Sequence, residues 1–310
     1  MIKKAVIPVA GFGTRFLPAS KAIPKEMFPV LDKPTIQYVV EEAVASGIRD
    51  ILMIISRGKR SVEEHFDRNP ELERLLERKG QQQELEQIRQ ISGLANIEFV
   101  WQKEMNGLGD AVKLARNHIG DEPFALLLGD TIIQSRIPAT RQLMDVHAKH
   151  GGCVIGLEAV PQDKVSRYGI IKGDWLGDGV YRLEGLVEKP TVDNAPSNLA
   201  IAGRYVLTAE IFQCLERATP DQKGETQLTH ALQTLLGQLP MHGMLLEGYR
   251  HDIGNKLDFL KANLLFGLEH PEIGRPLREF LHELTAISDD ELSLYSAAYE
   301  MKSPLGNRPP

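Results

Sequence analysis

Lys3-Lys4-Ala5-Val6-Ile7-Pro8-Val9-Ala10-Gly11-Phe12-Gly13-Thr14-Arg15-Phe16-Leu17-Pro18 is the stretch on which the fold turns. Lys3–Ala10 reads as a short buried strand, and its apolar part is too brief for a signal peptide or a membrane span. The strand breaks at once into Gly-x-Gly followed by Arg15. Gly11 and Gly13 let backbone amides approach an anion without interference from a Cβ, and successive N–H groups can form a nest for it. Arg15 adds a planar donor fork suited to phosphate oxygens. The loop leaves the carboxyl end of a strand, where open α/β sheets bind their ligands. A plain strand-to-helix turn accounts for Gly-x-Gly alone equally well. A dinucleotide fingerprint needs a third glycine where Phe16 stands, and a P-loop needs Gly-Lys-Ser/Thr after the loop, which is missing.

Outward from this loop, strand and helix patterns alternate. A helix is expected near Thr35–Ser46, stopped by Gly47, with strands at Ile51–Ser56, Ile97–Trp101 and Phe124–Leu128. Short apolar strands between amphipathic helices predict an α/β fold, a Rossmann-like, doubly wound, mostly parallel sheet covered on both faces. Glu63–Gln90 reads as a charged helical excursion with Leu72, Leu75 and Leu76 on one face. From Cys153 the pattern changes to strands at Cys153–Ala159, Gly169–Lys172, Val180–Glu188 and Leu199–Val206. Gly173-Asp174 and Gly177-Asp178-Gly179 are their expected turns. Helices return at Ala209–Leu215, Gln227–Gly237 and Lys256–His270, and a helical pattern runs over 279–302. The expected organisation is one catalytic domain, 1–270, with a C-terminal helical appendage, 271–310. That appendage suits either an oligomer contact or a surface cover.

Composition narrows the function. The 310 residues are 42% hydrophobic and 25% charged, enough to bury a core without disulfides. Cys153 and Cys214 both lie in apolar stretches and read as reduced core thiols of a soluble, cytoplasmic protein. A net charge of −6, from 36 basic and 42 acidic residues, argues against a broad nucleic-acid surface. No stretch reaches a membrane-spanning length, so no membrane partner is expected. None of the nine histidines has metal-ligand spacing with a cysteine, which argues against zinc.

Gly11-x-Gly13-Thr14-Arg15, with Pro24-Lys25 further along, resembles the signature of the sugar nucleotidyltransferases. Lys21-Ala22-Ile23-Pro24-Lys25-Glu26-Met27, followed by Asp32-Lys33-Pro34, is similar to the bacterial UDP-glucose pyrophosphorylases within that family. The likeness runs from about Lys3 to about Leu268. It implies a nucleotidyltransferase fold with added sugar-side strands. It also implies transfer of UMP from UTP to glucose 1-phosphate with Mg²⁺; the C-terminal helices, for their part, suit a homodimer or homotetramer contact, although such helices also cover monomers.

The resemblance also assigns roles. Ala10, Gly11, Gly13, Thr14 and Glu26 would hold the nucleotide, and Gln102 with Gly107 would read the uracil edge. A glutamine both donates and accepts, as an imide edge requires. Asp130, ending the apolar run Leu126-Leu127-Leu128-Gly129, would hold Mg²⁺; a capping role is the alternative. Relatives often carry a second acid where Thr131 stands, which weakens a carboxylate pair there. Asp252 would be the second metal ligand, or simply a helix N-cap. Gly169, Glu188, Lys189 and Gly203 would form the sugar-phosphate side, although Glu-Lys before Pro190 also reads as an exposed strand end. Arg15, Lys25, Asp130 and Lys189 would be catalytic, Arg204 structural, and His230 a packing or surface residue. Two other readings stay open: a relative using dTTP or another sugar 1-phosphate, and a non-catalytic regulator that binds nucleotide sugar.

Overall fold

The computed structural model describes residues 2–286. Its main sheet has nine strands: β1 (Lys4–Pro8), β2 (Asp50–Ile55), β3 (Asn96–Trp101), β4 (Phe124–Leu127), β5 (Cys153–Ala159), β6 (Gly169–Gly177), β7 (Val180–Glu188), β8 (Leu199–Leu207) and β9 (Met241–Leu245). Their spatial order is β3-β2-β1-β4-β8-β5-β9-β7-β6. The first four run parallel, as helix-separated strands should. β8 then enters antiparallel to both β4 and β5. β9 lies parallel to β5, and β7 antiparallel to both β9 and β6. The expected α/β sheet is present, but "mostly parallel" describes its first half; the later strands make it mixed. The physical reason is connection length: β6 and β7 meet through the tight turn at Asp178-Gly179, which only antiparallel strands can use.

Side-chain alternation along the central strands covers both faces. Val6, Leu52, Ile54, Leu126 and Ile155 pack on one side. Ala5, Ile7, Ile51, Met53, Leu127 and Val154 pack on the other. The helix Thr35–Ala45 presents Ile36, Val39, Val40 and Ala43 to the second face at one-turn spacing. Helices Ile211–Arg217 and Leu228–Leu236 cover the first face, with Phe124 and Phe212 stacked at 5.5 Å. Each fully buried aliphatic side chain of this kind contributes about 1.5–3 kcal/mol.

Three elements differ from the sequence pattern. Gly173-Asp174 is not a turn; β6 runs through it, and a register shift between Leu183 and Gly185 on β7 absorbs the irregularity. The charged stretch around 63–90 is three helices, Arg60–Phe66, Pro70–Lys79 and Gln82–Ser92. Asn69 caps the second by accepting the Leu72 N–H at 3.1 Å, and Gly80 ends it in the left-handed region. Of its leucines, Leu76 is buried, whereas Leu72 and Leu75 are exposed. A separate antiparallel pair, Thr131–Gln134 with Tyr249–Asp252, sets Thr131 opposite Asp252.

The chain divides into two compact units, Met1–Phe259 and Leu260–Pro310, so the division falls inside the helix Lys256–Glu269. The second unit also holds the helix Gly274–Ala286. The helical pattern expected over 279–302 coincides with that helix as far as residue 286, and the remainder lies outside the described residues. Both cysteines are buried and free. Among the described residues, no helix is long and apolar enough to cross a membrane.

Candidate active site

β1 stops at Pro8, and the backbone N–H groups of Gly11, Phe12 and Gly13 donate to no described residue. They remain available to an anion. Gly13 takes φ 64° and ψ 33°, a left-handed conformation that caps the short turn Thr14–Phe16. A Cβ there would stand 3.1 Å from Lys25 Cβ. Glycine therefore lets the Lys25 stem lie against the loop.

Lys25 Nζ donates to Asp130 Oδ2. Burial alone would push this ammonium toward its neutral form. Asp130, Glu26 and Asp252 outweigh it and raise the Lys25 pKa above the ordinary value. Burial would likewise raise Asp130, but Lys25 holds that carboxyl below its usual range. Glu26, beside Lys25, is only 2% exposed and accepts from Lys59 Nζ at 2.6 Å. Burial dominates this pair, raising Glu26 and lowering Lys59.

The small antiparallel pair brings Asp252 alongside Asp130, and the Ile253 N–H donates to the Asp130 carbonyl at 3.1 Å. Asp252 Oδ1, Arg15 Nη1 and Asp130 Oδ2 lie 2.8, 3.7 and 3.8 Å from one point, the place a Cβ on Gly254 would occupy. Asp252 is not the helix cap. It accepts the Gly254 N–H at 2.9 Å, while Asn255 accepts the Asp258 N–H at 3.0 Å and caps the following helix. Arg204 fixes the Asp130 segment from beneath. Fully buried, it grips both oxygens of Glu42 and donates to the carbonyls of Leu128 and Thr131, on either side of Asp130.

Gln102 follows β3, its backbone N–H donating to Ile55 O at 2.7 Å, and its side chain faces Gly107 and Asp110. Gly107 has φ 96°, and a Cβ on it would meet Thr226 O at 2.9 Å. The close approach lets Asn106 O and Gly109 N–H bond to Thr226 at 2.7 and 2.8 Å. Ala10, Gly11, Gly13, Thr14, Lys25, Glu26, Gln102, Gly107 and Asp130 all line one cavity of about 410 Å³. A larger surface hollow of about 810 Å³ runs along the helix Pro70–Lys79 and holds none of the expected residues.

The sugar-side residues form a second cluster, outside the lining of that cavity. Lys189 Nζ lies 2.8 Å from Glu188 Oε1, and Thr229 Oγ1 donates to Glu188 Oε2 at 2.7 Å. A Cβ on Gly169 would stand 3.3 Å from the same Oε2. Lys189 itself takes φ 45°, with its N–H bonded to Tyr168 O at 3.0 Å. Gly203 packs on Leu128, which does line the cavity. His230 is exposed, whereas its neighbour Thr229 is buried against Glu188. From sequence, Asp110, Lys59 and Thr229 have no assigned role and Arg204 only a structural one, so only the fold reveals their contacts.

Two carboxylates converge beside Arg15 and Lys25, a donor set that fits a hard divalent cation completing its shell with phosphate oxygens and water. Among the described residues, no cluster of three or more His, Cys, Asp or Glu offers an all-protein cage.

The model of the nucleotidyl transferase family matches residues 4–267. The chain is 51% identical over 283 residues to the UTP–glucose-1-phosphate uridylyltransferase YngB of Bacillus subtilis, covering 91% of this chain and 95% of that protein. It is 49% identical to the UTP–glucose-1-phosphate uridylyltransferase of Staphylococcus epidermidis, over 91% and 98% of the two chains. Among solved structures it resembles a UDP-glucose pyrophosphorylase complexed with UDP-glucose, with a TM-score of 0.80, 39% identity and coverage of 87% and 100%. The UTP-bound enzyme from Acinetobacter baumannii gives 0.83, 41% identity and coverage of 92% and 100%.

Proposed function

The chain belongs to the nucleotidyl transferase family, and from that premise we infer that it transfers a uridylyl group from UTP to glucose 1-phosphate. The products are UDP-glucose and pyrophosphate. One observation carries the reading: a free-amide glycine loop, Lys25, Asp130 and the Gln102–Gly107 edge share one cavity at the carboxyl end of the parallel strands.

In this reading a phosphate oxygen of glucose 1-phosphate attacks the α-phosphorus of UTP. A new oxygen–phosphorus bond forms, the bond to the β-phosphate oxygen breaks, and pyrophosphate leaves on the opposite side. The nucleophile is already anionic, so no general base is required. The barrier is charge. Unit like charges about 4 Å apart repel by roughly 4 kcal/mol at an effective dielectric near 20, and two polyanions face several such terms.

Positioned cations answer that repulsion. Lys25 serves the α-phosphate, Arg15 the leaving pyrophosphate and Lys189 the incoming sugar phosphate. The amides of Gly11–Gly13 with Thr14 and Ala10 seat the triphosphate, and Glu26, tied to Lys59, braces Lys25 from behind. Gln102 and Gly107 read the uracil edge; Glu188 accepts from glucose hydroxyls, with Gly169 and Gly203 clearing space for the ring. Asp130 and Asp252 would hold Mg²⁺, which when bound supplies Lewis-acid neutralisation of phosphate charge.

The catalytic domain of this reading is 1–270, with 271–310 as an appendage. The exposed Leu260, Leu264 and Leu265 suit a contact between copies in a homodimer or homotetramer. A monomer in sedimentation velocity would refute that assembly. The central test is pyrophosphate release from UTP, dTTP and other nucleotides with glucose 1-phosphate and other sugar phosphates, with and without Mg²⁺. UTP with glucose 1-phosphate should give the highest kcat/KM. Bound nucleotide without turnover would instead mark a regulator.

A further inference from the structure

The carboxamide of Gln102 is held from behind by two groups that can only accept. Its Nε2 lies 3.1 Å from Asp110 Oδ2 and 3.3 Å from Gly107 O. A carboxylate and a backbone carbonyl carry no hydrogen, so the group turned toward them is the NH₂. Both acceptors are themselves fixed. Asp110 Oδ1 pairs with Lys113 Nζ at 3.2 Å, one turn along the helix Leu108–Lys113. The loop carrying Gly107 is tied to Thr226 on either side of that residue. Gln102 is 5% exposed, and its Oε1 accepts from no described residue. Both hydrogens of its amide are spent on the protein, and only the oxygen is left for a ligand in the cavity that Gln102 lines.

We propose that Asp110 is a positioning residue for base recognition: it locks Gln102 with Oε1 toward the cavity, so the site accepts a hydrogen from the N3–H of a uracil-type imide. Cytosine carries a bare acceptor at N3, which would face that fixed oxygen lone pair to lone pair. The assignment narrows the role expected from sequence, in which the glutamine both donates and accepts. The base carbonyls must then find another donor, and the Gly107 N–H, also at the cavity wall, donates to no described residue. Without the carboxylate, only the Gly107 carbonyl would oppose a flip of the amide that presents NH₂ to cytosine.

The inference rests on the uridylyl reading, and the test separates the two. In the full chain, kcat/KM is measured for UTP and CTP with glucose 1-phosphate in wild type, Asp110→Asn and Asp110→Glu. The carboxamide introduced by Asp110→Asn can donate to a flipped Gln102 oxygen, so the UTP-over-CTP ratio should fall about tenfold or more. The carboxylate kept by Asp110→Glu still only accepts, and that variant should retain most of the ratio. Asp110→Ser, whose hydroxyl can also donate, is the second variant should Asp110→Asn misfold, with the same expected loss. A merely structural role at the helix start would lower stability or activity without moving the ratio. An unchanged ratio in a folded Asp110→Asn or Asp110→Ser protein overturns the proposal. If wild type releases no pyrophosphate from UTP and glucose 1-phosphate, the uridylyl reading falls. Calorimetric titration with UDP and CDP then still tests Asp110: loss of the uridine preference in Asp110→Asn supports it, and an equal preference in both proteins overturns it.

Discussion

Because a Cβ on Gly13 would stand 3.1 Å from Lys25 Cβ, the glycine and the lysine act as one unit. Gly13→Ala would strain a left-handed residue by about 1 kcal/mol and push the lysine stem from Asp130. The expected outcome is a small drop in melting temperature but a fall of about 10–100-fold in kcat/KM, since sub-ångström misplacement is enough to slow a positioned reaction. Lys25→Ala goes further. It removes the cation proposed for the α-phosphate, and by analogy with phosphoryl-transfer sites turnover should fall about 10³-fold while circular dichroism stays native. Near wild-type turnover would remove Lys25 from the mechanism. The sequence singled out both Gly13 and Lys25 as residues expected to serve a phosphate; it did not show their mutual contact. Spacing announces residue types, whereas the packing of a lysine stem on a glycine Cα depends on the turns between them. Arg204 makes the same point in reverse. Nothing in its local sequence announces a fully buried guanidinium spanning Glu42, Leu128 and Thr131, because those partners come from two other, distant parts of the chain.

Among elements, the helices Pro70–Lys79 and Gln82–Ser92 are joined by charge as well as by packing. Glu73 accepts from Arg68 Nη2 at 2.8 Å and from Arg89 Nε at 3.1 Å, and these two guanidiniums hold its carboxyl at about 2. A carboxyl depressed in the folded state contributes stability that is complete above its ordinary value near 4.5 and lost as pH falls through about 2. Glu73→Gln should therefore melt about 1–3 °C below wild type at neutral pH. The gap should close as the pH drops from 4.5 toward 2, and a constant gap across that range would sink the ion-pair account. The break before the first of these helices was written in Asn69-Pro70 and the break between them in Gly80, yet charged helical periodicity on both sides hides both. The pair Thr131–Gln134 and Tyr249–Asp252 is harder to read. Tyr249-Arg250-His251-Asp252 has no apolar alternation, and its partner lies more than a hundred residues away, so only the register reveals why Asp252 sits by Asp130. β9 is hidden for a related reason, since His242-Gly243 interrupts its apolar run.

At the scale of the whole molecule, the parallel half of the sheet was legible because its strands are short apolar-rich runs set between helical patterns. In the mixed half the strands from Cys153 to Leu207 were legible too, but their directions were not, because antiparallel insertion of β8 depends on connections rather than on strand composition. The cavity is assembled from segments near residues 8–26, 102–111, 128–130 and 225, which meet only in the folded chain. A ligand that bridges them must therefore bind the native state and not the unfolded one. At a free concentration 100 times its Kd, such a ligand adds about 2.7 kcal/mol, which corresponds to about 4 °C in melting temperature for a chain of this size. UTP with Mg²⁺ should produce that rise, CTP with Mg²⁺ a smaller one, and UTP with a chelator a smaller one still. In the Asp130→Asn, Asp252→Asn double variant, the difference between Mg²⁺ and chelator should vanish while the variant still melts cooperatively. Neutralising two acids removes repulsion toward phosphate, so UTP alone should stabilise that variant no less than it stabilises wild type. An equal rise with and without Mg²⁺ in wild type would show that the two carboxylates meet for some purpose other than holding a cation against the triphosphate.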